Sequence, residues 1–385
     1  MALTPAVDVD LSPTPRSRSG SHRALVSSGA WSGPDRQLQY WVPTVGALYG
    51  APSVAPRWAE PAASAALAAH MLGGCPLSAS AAASAASAAS AASAGGDGAL
   101  LLHHFLTRYA SARELGRRVF ATASPGQPGR TGEVVLIDSR ENVWSVLSLL
   151  VSLDNLRAAD WSVTVLCGRD NHAWMSDMVL RHVPHATVTA LPELSAKSFD
   201  IEDYNVLLKS AALWRALSRG GRVPRVLTVQ DDGVLARPGL DDDAELLAAR
   251  FVGAPWSRAD AAYVRAMEAA GVPPEFVGNG GLSLRDPALM LEIAEAERDG
   301  LARALFNGDL QPMPEDVMFA VAVGRRGLTT PRAVAERFAF EAVLPAAGQQ
   351  LPYGFHKPWP YHPAAAVAAL LDNLLSGGRS PPAKA

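Results

Sequence analysis

Short apolar runs at strand spacing alternate with longer amphipathic runs from residue 131 onward. The predicted strands are EVVLIDSR (133–140), WSVTVLCG (161–168), ATVTAL (186–191) and RVLTVQ (225–230). Two amphipathic helices are predicted between them, ENVWSVLSLLVSLDNL (141–156) and YNVLLKSAALWRAL (204–217), and Asp203 is expected to cap the second. Strands that alternate with helices of this length predict an α/β fold with a mixed, mainly parallel sheet flanked by helices.

Residues 1–125 differ in composition from the rest of the chain. The tract SASAAASAASAASAASAGG (78–96) offers too little side-chain volume for a packed core. We therefore expect a low-complexity, mostly disordered region, with a possible helix near residues 99–120. Residues 131–362 are expected to form one domain, followed by a carboxyl-terminal helix and a disordered tail over residues 363–385.

Charge and composition exclude several classes of partner. The 385-residue chain is 49% hydrophobic and 18% charged, and its formal net charge of −3 gives no reason to expect nucleic acid or an anionic membrane as a partner. The sequence contains no run of about 18 strongly apolar residues, so no membrane span is predicted. It also shows no clear signal peptide, so the default location is cytoplasmic. Cys75 and Cys167 form no CxxC pattern and indicate neither a zinc site nor a disulfide framework.

Two carboxylates, Asp231 and Asp232, stand where the strand RVLTVQ ends. Ligands of parallel sheets gather beyond the carboxyl ends of the strands. An ionised carboxylate is costly to bury without a positive partner, and a hard divalent cation is a natural partner for carboxylate oxygens. The pair therefore predicts a metal site. The alternative is that both aspartates only shape a turn before Gly233.

Six motifs follow one another along the chain: YNVLLKSAALW, VQDDGVL, FVGAPW, VGNGGLSLR, PEDVMFA and FHKPW. Together they resemble a domain family of unknown function that is grouped with GT-A type nucleotide-diphospho-sugar glycosyltransferases. The resemblance covers about residues 131–362. It implies a GT-A-like (Rossmann-like) single catalytic domain after the low-complexity amino-terminal region.

The resemblance also implies an activity and its ligands. It implies a metal-dependent, hexosyltransferase-like enzyme that moves a sugar from a nucleotide sugar to an acceptor hydroxyl, with inversion. A UDP-sugar is the expected donor, and a carbohydrate or glycoconjugate is the expected acceptor. The expected cofactor is a divalent cation, Mn²⁺ or Mg²⁺.

Metal ligands can be transferred from the family residue by residue. Asp232 matches the aspartate of the family's Q-x-D motif, and Asp231 occupies the middle place, which is usually uncharged. Gly233 departs from the small hydroxyl residue that is common there. His356 resembles the late histidine that completes the metal shell in several GT-A enzymes, although a lone histidine can also be purely structural.

Arg140 and Lys357 are the cationic candidates for donor binding. Arg140 ends the first strand, where GT-A folds receive the nucleotide, although a surface salt bridge is an alternative. Lys357 stands beside His356 and would reach a diphosphate oxygen as a flexible point charge.

A glycine-rich turn and a tryptophan are the neutral candidates for donor or acceptor binding. Gly280 and Gly281 permit close ligand approach and unusual backbone angles, and Asn279 adds an amide that can bond to sugar hydroxyls. A glycine-stabilised hairpin turn is the alternative. Trp256 offers an aromatic face to a sugar, or else anchors the core.

Glu315 and Asp316 follow Pro314 and open an amphipathic run, which predicts a helix amino terminus. The helix dipole stabilises anionic residues there, so the pair has a structural explanation. Inverting transfer, however, needs a carboxylate that takes the acceptor proton. The resemblance assigns this role to Asp316, with Glu315 positioning the acceptor, although the two roles can be exchanged.

Two other function classes share some of these features. A nucleotidyltransferase also uses a metal and carboxylates, but EVVLIDSRENVW lacks the glycine-rich, basic phosphate loop expected near the first strand. A non-catalytic nucleotide-sugar or carbohydrate-binding module stays open, because the Glu–Asp pair can be architectural.

Overall fold

The computed structural model describes residues 98–124, 129–191, 194, 201–259, 261–296, 313–346 and 348–377. The Ala/Ser tract and Cys75 lie outside the described residues, and so does the tail after residue 377. The disorder expected in those regions therefore stays a prediction.

The described residues form nine strands: β1 (Gly132–Asp138), β2 (Trp161–Gly168), β3 (Thr187–Leu191), β4 (Val226–Val229), β5 (Gly233–Leu235), β6 (Phe251–Gly253), β7 (Ser283–Arg285), β8 (Ala339–Phe340) and β9 (Gly354–His356). The larger sheet has the order β3-β2-β1-β4-β7-β6. Its first four strands pair in parallel, and β7 runs antiparallel to both β4 and β6. The predicted fold class, a mixed and mainly parallel sheet flanked by helices, is confirmed.

The smaller sheet has the order β5-β9-β8, so that β9 lies between β5 and β8. Strand β5 begins directly after the turn that ends β4, and it pairs antiparallel with β9. The register sets Gly233 opposite His356. This pairing brings Asp232 beside His356, although more than a hundred residues separate them in the sequence.

The described residues also form eleven α-helices: α1 (Gly98–Ala112), α2 (Val143–Asp154), α3 (His172–Leu180), α4 (Ile201–Leu208), α5 (Ala211–Ser218), α6 (Ala244–Ala248), α7 (Ala261–Ala269), α8 (Pro287–Ala296), α9 (Glu315–Arg325), α10 (Arg332–Phe338) and α11 (Ala364–Leu375). Helix α2 is buried along almost its whole length, and Asn142 caps it by accepting a hydrogen bond from Trp144 N. None of the helices described has the length and apolarity that crossing a bilayer requires.

The single helix predicted over residues 204–217 is wrong, because the chain forms α4 and α5 with a break at Ser210. Ser210 has extended backbone angles, and the buried indole of Trp214 donates to the Leu208 carbonyl at the end of α4. Asp203 lies inside the first turn of α4, so it does not cap a helix that starts at Tyr204. A buried tryptophan thus decides a boundary that the apolar periodicity does not show.

The helix predicted near residues 99–120 corresponds to α1 and packs into the same core as the sheets. Phe105 contacts Phe355 of β9 edge to face, with ring centroids 5.4 Å apart. His103 stacks on Trp144 of α2 at 3.8 Å. The core therefore includes a helix that precedes residue 131.

Candidate active site

The turn between β4 and β5 presents the two predicted carboxylates at the carboxyl end of a parallel strand. Gln230 and Gly233 close the turn, with the Gly233 N–H donating to the Gln230 carbonyl at 3.3 Å. Asp231 and Asp232 are its two central residues. A Cβ atom at Gly233 would lie 2.7 Å from the Gly281 carbonyl oxygen, so this chain has no room there for a hydroxyl side chain.

The Asp231 side chain turns toward the end of β1, away from the Asp232 side chain. Its Oδ2 accepts hydrogen bonds from Arg140 and Asn142, both at 2.8 Å. Arg140 also donates to both oxygens of the buried Asp138. The carboxylates of Asp231 and then Asp138 hold the pKa of Arg140 well above its ordinary value. Arg140 is half-exposed just beyond the carboxyl end of β1, where two carboxylates hold it.

Asp232 faces two cationic side chains from the end of β9. Its Oδ1 lies 3.4 Å from His356 Nε2, and its Oδ2 lies 3.5 Å from Lys357 Nζ. Burial raises the pKa of Asp232, but His356 and Lys357 outweigh that effect and hold the pKa below its ordinary value. The Lys357 N–H donates to the Asp232 carbonyl at 3.0 Å, which fixes the backbones of the two segments together.

His356 is held from behind by a carboxylate that the sequence motifs do not include. Its Nδ1 lies 3.0 Å from Oε1 of Glu341, which is 3% exposed. Burial lowers the pKa of His356, yet Glu341 and then Asp232 raise it to about 10. Without a cation the imidazole therefore carries a proton at neutral pH, and a metal ion would have to displace that proton.

The donor set fits the implied divalent cation. Asp232 Oδ1 is buried and has no hydrogen-bond partner among the described residues, and its separation from His356 Nε2 is too long for a good hydrogen bond. Metal-ligating histidines characteristically direct their other ring nitrogen to a carboxylate, as His356 does to Glu341. One carboxylate completed by substrate phosphates is a common way to bind Mg²⁺. In the described part of the chain, no three His, Cys, Asp or Glu side chains are grouped to hold an ion.

The glycine-rich loop, residues 278–281, lies against both His356 and Glu315. A Cβ atom at Gly281 would lie 2.0 Å from His356 Nε2, and one at Gly280 would lie 2.2 Å from Glu315 Oε1. The left-handed backbone expected in this loop occurs at Gly278, whose φ is +120°, and not at Gly280 or Gly281. The missing side chains, rather than unusual backbone angles, are therefore what these two positions require.

Asn279 is buried inside this loop. Its Oδ1 accepts a hydrogen bond from the Gly281 N–H at 3.0 Å. This side-chain bond to the backbone shapes the turn, as the hairpin-turn alternative anticipates. A contact between the Asn279 amide and a sugar hydroxyl stays a prediction.

Replacing Gly281 with alanine is expected to displace the His356 ring, because the added methyl group has no free space. Overpacking of this kind costs about 1–3 kcal/mol of stability, which chemical denaturation would measure. Gly348→Ala is the control, because its Cβ atom would meet no atom within 4 Å and only its positive φ of +77° is unfavourable. Equal stability of the Gly281 variant and the native chain would contradict this packing.

Asp316 lies across the loop from His356, at the start of α9 as predicted. Its Oδ2 accepts a hydrogen bond from the Gly280 N–H at 3.2 Å. Burial, and after it the charge of Glu315, raise the pKa of Asp316 to about 7. A carboxylate with this pKa is well matched to take a proton near neutral pH.

Glu315 and Asp316 have different environments. Both oxygens of Glu315 accept hydrogen bonds from Arg285, at 2.7 and 2.9 Å, and both side chains are buried. The Glu315 N–H donates to Asn205 Oδ1 at 2.9 Å, which satisfies a free donor at the start of α9. Glu315 is thus the counterion of Arg285, whereas Asp316 is half-buried.

Arg285 and Glu341 are neighbours of the site that sequence reasoning did not select. Arg285 is the last residue of the motif VGNGGLSLR, so the motif itself could have indicated that Arg285 lies near the site. Glu341 has no local signal, because only the pairing of β8 with β9 brings it to His356. Trp256 is buried, and its carbonyl accepts hydrogen bonds from Arg332. Its burial favours the core-anchor alternative over stacking against a sugar.

Comparisons with solved structures return glycosyltransferases at low similarity. Mouse xyloside xylosyltransferase 1, in its apo form, is 11% identical over 51% of this chain and 83% of its own, with a TM-score of 0.33. A mannosyltransferase from Pyrobaculum calidifontis, in complex with GDP-Man and Mn²⁺, is 18% identical over 61% of this chain and 64% of its own, with a TM-score of 0.32. At these values the likenesses carry no argument about activity.

The sequence comparisons give one match, to a family model that covers a defined segment of the chain. A search of curated proteins finds no match to this chain. Residues 188–356 match the model of a family described as a protein of unknown function, DUF5672. The matched segment runs from β3 to His356 and contains the motifs from YNVLLKSAALW to the start of FHKPW. This match confirms the predicted resemblance to a domain family of unknown function.

Proposed function

We propose that this protein is a metal-dependent, hexosyltransferase-like glycosyltransferase that moves a sugar from a nucleotide sugar to an acceptor hydroxyl. The observation that carries the proposal is the convergence on one glycine-rich loop of two kinds of group. On one side stand Asp232 and His356, which suit a divalent cation. On the other side stands Asp316, whose raised pKa suits a base.

The donor half would use the groups at the ends of β1, β4 and β9. Asp232 and His356 would hold Mn²⁺ or Mg²⁺, which as a Lewis acid offsets negative charge on a departing diphosphate. Lys357, 40% exposed and 3.5 Å from Asp232, would add a point charge toward the phosphates. Arg140, fixed by Asp138 and Asp231, would contact the nucleotide beside β1.

The acceptor half would use the start of α9. The Asp316 carboxylate takes the proton of the acceptor hydroxyl as that oxygen forms a bond to the anomeric carbon. The bond from the anomeric carbon to the diphosphate breaks on the opposite face, which gives inversion. The Gly280 N–H holds the Asp316 side chain at the loop, and Glu315 acts through its pairing with Arg285.

Glu341→Gln is expected to weaken Mn²⁺ binding by about 10- to 100-fold, the usual effect of losing a carboxylate behind a metal-binding histidine. Calorimetric titration of Mn²⁺ in the presence of UDP measures the loss. Glu336→Gln is the control, because Glu336 lies on the same segment in an exposed pair with Arg332. Unchanged Mn²⁺ affinity in the Glu341 variant would show that His356 does not bind the ion.

The experiment that tests the function is a panel of nucleotide sugars, UDP-sugars first, assayed for release of nucleoside diphosphate with and without Mn²⁺. Metal-dependent release that an acceptor carbohydrate stimulates supports the proposal. Metal-dependent binding without any release, measured by calorimetry on the same panel, supports the binding-module alternative instead.

A further inference from the structure

We propose that Arg285 is a positioning residue for the acceptor half of the site. It holds Glu315 and the Gly280 carbonyl in place, so that the neighbouring Asp316 faces the acceptor and forms no ion pair with any of the described residues. This inference rests on the proposed function. Its test includes a measurement that needs neither donor nor metal.

Arg285 is a fully buried cation that donates hydrogen bonds to Glu315, Ser283 and Gly280. Its two terminal nitrogens donate to the two oxygens of Glu315, and Nη2 also approaches the Gly280 carbonyl at 3.4 Å. Nε donates to Ser283 Oγ at 2.8 Å. The guanidinium lies against three aromatic rings, with its carbon 4.9–5.7 Å from their centroids: Trp214, Phe251 and Phe319.

Stability alone is a weak reason to bury this ion pair. Charged groups lose hydration when they are buried, and well-packed apolar residues of similar volume are often equally or more stable. Here the pair lies directly behind the loop and beside the predicted base. A Cβ atom at Gly280 would lie 3.1 Å from Arg285 Nη2 and 3.2 Å from the Asp316 Cβ atom, so the three groups pack against one another.

The pair also sets the charge that surrounds Asp316. Among the described residues, the charged or titratable side chains that act on Asp316 include Glu315 on the same helix, Arg285 from β7, and Tyr361 from the segment before α11. Burial and then Glu315 raise the pKa of Asp316, whereas Arg285 lowers it. Arg285 bonds to both oxygens of Glu315, so the negative charge of Glu315 offsets the effect of the Arg285 charge on Asp316. The pKa of Asp316 therefore stays raised, at about 7.

The test is a double-mutant cycle of Glu315→Gln and Arg285→Gln in the full chain. The Asp316 carboxyl is followed by carbon NMR and identified by its absence in Asp316→Asn. Glu315→Gln leaves an unpaired guanidinium beside Asp316, so the Asp316 pKa should fall by about 1 unit or more. Arg285→Gln should raise the Asp316 pKa, and the double variant should return it toward the native value.

The pair of Glu133 on β1 with Arg219, which follows α5, provides the matched control. Glu133, 1% exposed at the start of β1, accepts a hydrogen bond from Arg219 at 2.9 Å. Glu133→Gln also removes the buried carboxylate of an ion pair, but at the opposite end of β1 from the site. The Asp316 pKa should not move in Glu133→Gln. A shift there as large as in Glu315→Gln, or no shift in any Glu315 or Arg285 variant, would overturn the proposal.

Arg285→Met/Glu315→Met keeps the test decisive if a single variant does not fold, because apolar pairs are tolerated at such positions. It should melt near the native temperature, yet lose about 10- to 100-fold in kcat/KM through misplacement of Asp316. Native kcat/KM in this variant would contradict the positioning role. A different outcome would separate the two proposals. If neither the native protein nor any variant transfers sugar, but the pKa of Asp316 shifts as stated, the proposed function is wrong and the positioning of Asp316 by Arg285 is still supported.

Discussion

Asp232→Asn is expected to lower kcat/KM for sugar transfer by on the order of 10³-fold, since a bound cation supplies several kcal/mol of transition-state stabilisation. Asparagine has nearly the same shape but offers no negative charge to a metal ion. The folded structure should be retained, because the hydrogen bond that the Lys357 N–H donates to the residue 232 carbonyl does not involve the side chain. The release of nucleoside diphosphate and the calorimetry of Mn²⁺ with UDP both measure the effect.

Asp242→Asn is the matched control for this prediction. Asp242 is 74% exposed and pairs with Arg157 at 2.8 Å, in the loop that follows β5. Exposed pairs of this kind contribute little to stability, so the control should keep native activity and native Mn²⁺ affinity. Native turnover in Asp232→Asn would rule out Asp232 as the ligand on which donor activation depends.

Asp316→Asn is expected to lower kcat by about 10²- to 10⁴-fold, the usual contribution of a general base, while leaving donor affinity close to native. Because the pKa of Asp316 is raised to about 7, the native enzyme should lose activity as the pH falls below about 7. The same acid limb should be absent from the residual activity of the variant. A pH profile of kcat for both proteins measures this difference.

The same substitution should increase stability at mildly alkaline pH. The folded state binds a proton at Asp316 more tightly than the unfolded state does, because the pKa of Asp316 is about 7 in the folded state and near 4 in the unfolded state. The stabilising contribution of this proton is complete below about pH 4. It is lost as the pH rises through about 7. Asparagine has no charge to bury. Asp316→Asn should therefore melt higher than the native chain at about pH 8 and show little difference near pH 4.

Asp160→Asn is a control for this pair of effects. Asp160 pairs with the exposed side chain of Arg130 at 3.1 Å, next to β2 and distant in sequence from α9. It should change neither the acid limb of kcat nor the pH dependence of melting. An unchanged acid limb in Asp316→Asn would assign proton transfer to another group.

The apolar pattern was sufficient to predict the four parallel strands of the larger sheet. Strands β1, β2 and β4 are runs of mainly β-branched and aliphatic residues in which inward and outward positions are both buried, so their sequence signal is strong, whereas the edge strand β3 is mostly half-buried. Strands β7 and β6, with three residues each, are too short to give a period, and their antiparallel pairing was not predicted. Short strands depend on tertiary contacts, which composition does not reveal.

The sequence indicated where along the chain the candidate carboxylates lie, but not the directions in which their side chains point. The sequence placed Asp231 and Asp232 at one strand end, but adjacent residues in a tight turn point to different sides, so Asp231 faces Arg140 and Asp232 faces His356. Glu315 and Asp316 likewise share a helix end, although only Glu315 meets Arg285. Such differences arise from the packing of distant segments around each side chain.

Crystals of the full chain grown with UDP and Mn²⁺ would show, through the anomalous signal of manganese, whether Asp232 and His356 bind the cation. We expect one strong peak within coordination distance of Asp232 Oδ1 and His356 Nε2, with Glu341 still bonded to Nδ1 of the same ring. A manganese peak elsewhere, with Asp232 engaged by His356 and Lys357 alone, would contradict it.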